Sequence, residues 1–316
     1  MSRFTPNELA QHLKDGLLSF PVTPFTADLS LDEDALRQHV EWQSGYDVAG
    51  LFAAGGTGEG FSLSLEEHSR VVKIAVEASR PDVPVLGSAG GSTHMAIAQA
   101  RGAEEAGAEG VLLLPPYLTE CDQQGLLEHA SAVIGSTKTA VIVYNRANAI
   151  YSADTVAELA RRHENFIGFK DAIGDIEHLT RVYAKNGDRM FYLGGLPTAE
   201  TFALPLLQLG MSTYSSAMFN FVPEFALEFY GDVRAQNRAA VNEKLNRFVL
   251  PYLEIRDRGK GFGVSIVKAG VEAIGHTAGP VRPPLHDLSE TDRQDLARLI
   301  VEAQASPLLG AAATQS

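Results

Sequence analysis

One cysteine in 316 residues, Cys121, leaves no material for an intrachain disulfide or a multi-cysteine zinc site. That scarcity fits a reducing compartment. Positive charge is short as well: 26 Lys+Arg stand against 39 Asp+Glu, a net charge of −13. A surface of that sign repels a phosphate backbone or an anionic membrane, so neither nucleic acid nor membrane is an expected partner. A local basic pocket for a small acid stays compatible with it. No apolar run reaches the roughly 18 residues of a membrane span. The opening stretch MSRFTPNELAQHLKDG has no apolar signal core and reads as a short helix, so a cytoplasmic protein is expected. The nine histidines form no H-E-x-x-H and no compact carboxylate–histidine cluster. No metal is expected, and most histidines read as solvated or capping residues on helix surfaces.

What is present is an alternation. Short apolar runs at 17–22, 48–53, 83–87, 110–114, 140–144, 166–170, 190–193 and 211–215 are separated by longer amphipathic stretches. Continuous apolar runs suit strands covered on both faces. Eight strand–helix units in one line predict an α/β fold, a (β/α)8 TIM barrel. Helix starts are marked locally: Ser64-Leu-Glu-Glu67 is a capping box, Ser92 or Thr93 can cap the next helix, and Ser152 can cap another ending near Arg162. After residue 220 the strand signals stop. We expect a catalytic barrel over 1–230 and a C-terminal helical extension over 231–316, interrupted at 259–263 and 280–284, with the last residues frayed.

The main competing fold, an open doubly wound sheet, favours a G-x-G-x-x-G turn after its first strand. The first crossover, SFPVTPFTADLS, has no glycine. The cluster Gly55-Gly56-Thr57-Gly58-Glu59-Gly60 follows the second run without that spacing, and no Walker lysine comes after it. A nucleotide site is disfavoured.

Chemistry in such barrels sits at the C-terminal ends of strands. Of eight lysines, only Lys170 closes a predicted strand. A buried ammonium is costly unless it is paired or neutral. Two readings follow: a low-pKa amine that forms a Schiff base with a carbonyl, or a structural lysine paired to a carboxylate such as Glu59. Tyr144 ends the preceding run, about 4.8 Å away if the strands are neighbours. It can shuttle protons for the lysine or simply plug the barrel. Gly56 and Thr57 can converge on a carboxylate or form a ligand-free turn. Gly194-Gly195 and Tyr214-Ser215-Ser216 end the last two runs and can line the far side of the pocket.

These blocks together resemble the dihydrodipicolinate synthase / N-acetylneuraminate lyase superfamily across essentially the whole chain. GLLSFPVTPF, LFAAGGTGEGFSL, VIVYNRAN, IGFKDAIGDIE and SIVKAGVEAIGH carry the likeness. The resemblance implies a barrel with a C-terminal helical domain, usually a homotetramer. It puts the Schiff-base lysine at Lys170, the catalytic tyrosine at Tyr144 and the carboxylate loop at Gly56 and Thr57. Three departures stand out. Gly56 replaces a Thr or Ser, and Leu118 replaces the second residue of a Tyr-Tyr pair, which breaks an inter-subunit hydroxyl relay. Ala149 replaces a carboxylate-binding arginine, for which Arg146 is placed to compensate.

The YNRAN block is similar to a decarboxylating dehydratase subgroup. It implies dehydration and decarboxylation of a sugar diacid, 5-dehydro-4-deoxy-D-glucarate, to 2,5-dioxopentanoate, CO2 and water. The lysine itself serves as electron sink, so no cofactor is expected. Ser215, Asn145 and Arg146 are candidates for the distal polar end, and Gly195 for the pocket wall. The alternatives are a pyruvate-releasing aldolase of the same superfamily and a non-catalytic barrel that binds a sugar acid.

Overall fold

The computed structural model describes residues 3–117 and 120–305. Leu118 and the C-terminal tail singled out above lie outside the described residues. Eight parallel strands close a barrel in sequence order: β1 (Leu18–Ser19), β2 (Gly50–Phe52), β3 (Val85–Ala89), β4 (Gly110–Leu113), β5 (Ala140–Asn145), β6 (Phe166–Asp171), β7 (Phe191–Gly194) and β8 (Thr213–Ser216). Each of the eight apolar runs supplies one of them. The register sets Tyr144 directly opposite Lys170 and Asn145 opposite Asp171.

The helices are α1 (Pro6–Leu13), α2 (Glu33–Ser44), α3 (Leu65–Ala78), α4 (Thr93–Glu105), α5 (Gln123–Ile134), α6 (Ala153–Arg162), α7 (Ile176–Asn186), α8 (Glu200–Leu207) and α9 (Pro223–Arg234), followed by α10 (Arg238–Lys244), α11 (Leu250–Arg256), α12 (Phe262–Ala273) and α13 (Glu290–Ala305). Their starts follow the local signals. Ser64 and Glu67 form the capping box of α3, Ser92 caps α4 and Ser152 caps α6. Thr5 and Glu8 form a second box at α1.

Strand pleating divides the apolar side chains into two cores. One fills the barrel: Leu18, Phe52, Leu86, Leu112, Ile142, Ile167 and Leu193 meet there, and Leu9 and Leu13 of α1 join them. The other lies between strands and helices and runs on without a break into the C-terminal helices, through Phe229, Val233, Phe248, Tyr252 and Val267. The division expected after residue 230 therefore falls inside α9, and the helical extension is packed as part of one body.

Three histidines, His39, His68 and His129, are buried and depart from the surface reading. Burial pushes the imidazoles of His39 and His68 down to about 4. His39 meets Asn220 and Gln43 in a polar network that also reaches Ser19 through Gln43. Their helices carry apolar residues on both sides of them, so the inward face wins over residue type. Among the described residues no helix is long and apolar enough to cross a membrane. None of their His, Cys, Asp and Glu side chains form a group of three or more suited to a metal ion.

Candidate active site

A cavity of about 380 Å³ opens at the C-terminal ends of the strands. Lys170 rises into it from the end of β6. Its side chain is buried, with Nζ 3.7 Å from the Phe20 ring centroid and 4.7 Å from that of Tyr144. The amine donates to Ser215 Oγ at 3.2 Å. Among the described residues no carboxylate pairs with it. Burial holds its pKa well below the ordinary lysine range, and the charge of Arg146 pushes the same way. Both effects favour the neutral, nucleophilic form of the amine.

Glu59 is not its partner. That carboxylate is fully buried and binds Lys268 of α12 at 2.7 Å, while its second oxygen accepts from the Arg282 backbone N–H at 2.9 Å. Lys268 also donates to the Pro280 carbonyl at 2.8 Å. Glu59 itself holds a left-handed backbone, φ 52°. A non-glycine residue there is strained, and the ion pair is what fixes it. The pair thus anchors the loop that carries Gly56 and Thr57, both of which line the cavity.

Tyr144 stands beside the lysine. Its phenol donates to the Gly195 carbonyl at 2.8 Å and accepts from Arg146 Nη1 at 3.2 Å. Burial raises its pKa and Arg146 opposes that rise. Arg146 reaches back because residues 146–149 form a tight turn with Ala147 in the left-handed region, φ 53°. Gly195 has a different reason to be glycine: a Cβ there would stand 2.3 Å from Lys170 Cε. At Gly56, by contrast, a Cβ would meet nothing within 4 Å.

Asn145 needs correction as a candidate for the distal polar end. It is fully buried, donates to Asp171 Oδ1 at 2.7 Å and accepts from the Tyr151 backbone at 2.9 Å. Alternation along the strand decides this: Tyr144 and Lys170 point into the barrel mouth, so Asn145 and Asp171 point outward. The same rule separates Ser215, which meets the lysine, from Ser216, whose hydroxyl donates to buried Glu200 at 2.5 Å behind β8. Tyr214 and Gly194 likewise face the helix layer. Gly56, Thr57, Arg146, Gly195 and Ser215 all line the cavity with the two catalytic candidates.

Among the cavity residues that escaped the sequence reading are Phe20, Thr198, Tyr252 and Arg256. Phe20 sits just past β1, where strand-end position was a usable signal. Tyr252 and Arg256 lie four residues apart on α11, hence on one face. No local pattern says that this face covers a barrel mouth.

The profile of the dihydrodipicolinate synthetase family matches residues 13–303. The chain belongs to this family. It is 68% identical over 305 residues to a protein of Corynebacterium glutamicum named probable 5-dehydro-4-deoxyglucarate dehydratase, covering 96% of both chains. A relative of the same name from Pseudarthrobacter chlorophenolicus is 68% identical over 300 residues, 95% of this chain and 99% of that one. Among solved structures, dihydrodipicolinate synthase from Oceanobacillus iheyensis superposes with a TM-score of 0.85 at 25% identity, covering 94% of this chain and 100% of that chain. YagE, a prophage protein of the dihydrodipicolinic acid synthase family from E. coli K12 solved in complex with pyruvate, gives 0.81 at 25% identity, covering 92% and 99%.

Proposed function

We propose that the protein dehydrates and decarboxylates 5-dehydro-4-deoxy-D-glucarate to 2,5-dioxopentanoate, CO2 and water. The observation that carries the reading is Lys170: a buried amine without a carboxylate partner, next to a phenol, in a cavity that also holds Arg146. The names of the relatives at 68% identity support the choice of substrate.

The neutral amine attacks the C5 ketone, and loss of water gives an iminium. That cation acidifies C4, and Tyr144, or a water it positions, takes a C4 proton. The enamine expels the C3 hydroxyl, which leaves as water once protonated. The resulting conjugated iminium accepts the electron pair of the C1–C2 bond as CO2 departs. Protonation and hydrolysis return Lys170 and free the product. Gly56 and Thr57 hold the C6 carboxylate beside the ketone, and Ser215 orients the amine. Lys170 is the electron sink throughout. The enzyme works in the cytoplasm as a homotetramer.

The test is product analysis with 5-dehydro-4-deoxy-D-glucarate. One CO2 and one 2,5-dioxopentanoate per substrate are expected. Release of pyruvate without CO2 would assign the chain to the aldolases. No turnover, with binding intact, would leave a sugar-acid-binding barrel.

A further inference from the structure

The cavity wall is unusual for a chain with a net charge of −13: among its residues are Arg146 and Arg256, and no Asp, Glu or His. Such a lining selects anions. The two arginines are not equivalent. Arg146 is exposed and tied to the Tyr144 phenol, so it serves the catalytic tyrosine. Arg256 comes from the C-terminal helices, with its side chain 19% exposed. Its Nη1 donates to Thr198 Oγ1 at 2.8 Å and its Nε to Asp257 Oδ1 at 2.8 Å.

Those two bonds fix the plane of the guanidinium. Five N–H donors exist in the group, so the Nη2 side stays available for a ligand. Thr198 is nearly buried and held in the left-handed region, φ 56°, which is strained for a threonine. Its hydroxyl holds an arginine at the cavity wall rather than closing a local turn. The α11 helix is set up for the same end. A π turn over Leu245–Val249 precedes it, where Pro251 has no N–H to give. One turn later Tyr252 and Arg256 face the barrel mouth together.

We propose that Arg256, oriented by Thr198, binds the distal carboxylate of the substrate and makes the site selective for 2-oxo diacids over 2-oxo monoacids. The inference rests on the reading of the substrate as a sugar diacid. It assigns the carboxylate remote from the ketone to the C-terminal helices, and the one beside the ketone to the Gly56–Thr57 loop. Planar, charge-assisted contact with a carboxylate is the chemistry for which arginine is suited.

The test uses two six-carbon probes that differ only at the far end, 2-oxoadipate and 2-oxohexanoate. Each is titrated against the whole protein with borohydride, and the adduct on Lys170 is quantified by mass spectrometry. Half-saturation for the diacid is expected about tenfold or more below that for the monoacid. Arg256→Met should erase the preference and leave the monoacid value unchanged. Arg256→Lys should restore part of it. In turnover, Arg256→Met should raise KM more than it lowers kcat.

A preference that persists in Arg256→Met, or none in the wild type, would overturn the assignment. An equal loss for both probes would also overturn it, because it would mean general support of the pocket. Should Arg256→Met fail to fold, Thr198→Val carries the same test by releasing the guanidinium. The two levels of the argument separate cleanly. Diacid preference without CO2 from the sugar diacid keeps the subsite and sinks the reaction, and CO2 release without preference does the reverse.

Discussion

Two buried lysines, 98 positions apart in the chain, have been given opposite surroundings. Lys268 lies against Glu59, the Pro280 carbonyl and the Phe25 ring. Lys170 has Ser215 and two aromatic faces. Burial lowers the pKa of both, yet the Glu59 carboxylate opposes the shift at Lys268 and no carboxylate does so at Lys170. Burial alone therefore does not make a nucleophile; burial without a counter-charge does. One lysine is paired and fixes a loop, and the other is left without a counter-charge, as the proposed chemistry requires.

Exchange of each lysine for methionine, which keeps the length and apolar stem, breaks the comparison most directly. Lys170→Met should lose turnover by roughly four orders of magnitude or more while the fold persists, read by steady-state kinetics and circular dichroism. Tyr144→Phe should slow turnover by about 10²- to 10⁴-fold while Lys170 still forms reducible adducts. Lys268→Met should instead cost about 3–5 kcal/mol in denaturant unfolding, because it strands the Glu59 carboxylate, and adding Glu59→Gln should recover part of the loss.

Burial of Lys170 also makes stability depend on pH. The folded-state pKa of Lys170 lies below its unfolded value, near 10.4. Between the two the unfolded chain binds more protons, so wild-type stability rises with pH across that window. Lys170→Met removes the penalty and should exceed the wild type at neutral pH, by a margin that shrinks as pH climbs toward about 10. A margin that grows with pH would mean that the folded state raises the Lys170 pKa and favours its charged form. The smallest effect belongs to Gly56→Ala, where nothing stands within 4 Å of the new methyl. Its unfolding free energy should stay within about 0.5 kcal/mol of wild type.

The barrel was legible in the sequence because its signals are local: continuous apolar runs, capping boxes, and a lone lysine closing a strand. The proposed reactive pair follows from the same signals, since adjacent parallel strands bring Tyr144 and Lys170 together. Asn145 could have been excluded by counting, because a residue next to Tyr144 on a strand must face the other way. Lys268 also left a trace. It sits among Val264, Ser265 and Val271 on one face of its helix, a position where a lysine needs a buried partner. Arg256 left none. Its place in the cavity depends on how α11 packs over the barrel mouth, and that is tertiary information which no local pattern carries.

The central claim is that Lys170, and not Lys268, is the electron sink. Borohydride reduction in the presence of 5-dehydro-4-deoxy-D-glucarate, followed by peptide mapping that covers both lysines, tests it in one experiment. The account predicts a single adduct on Lys170, absent from Lys170→Met and retained in Tyr144→Phe. An adduct on Lys268, or turnover with no adduct on either lysine, would contradict it.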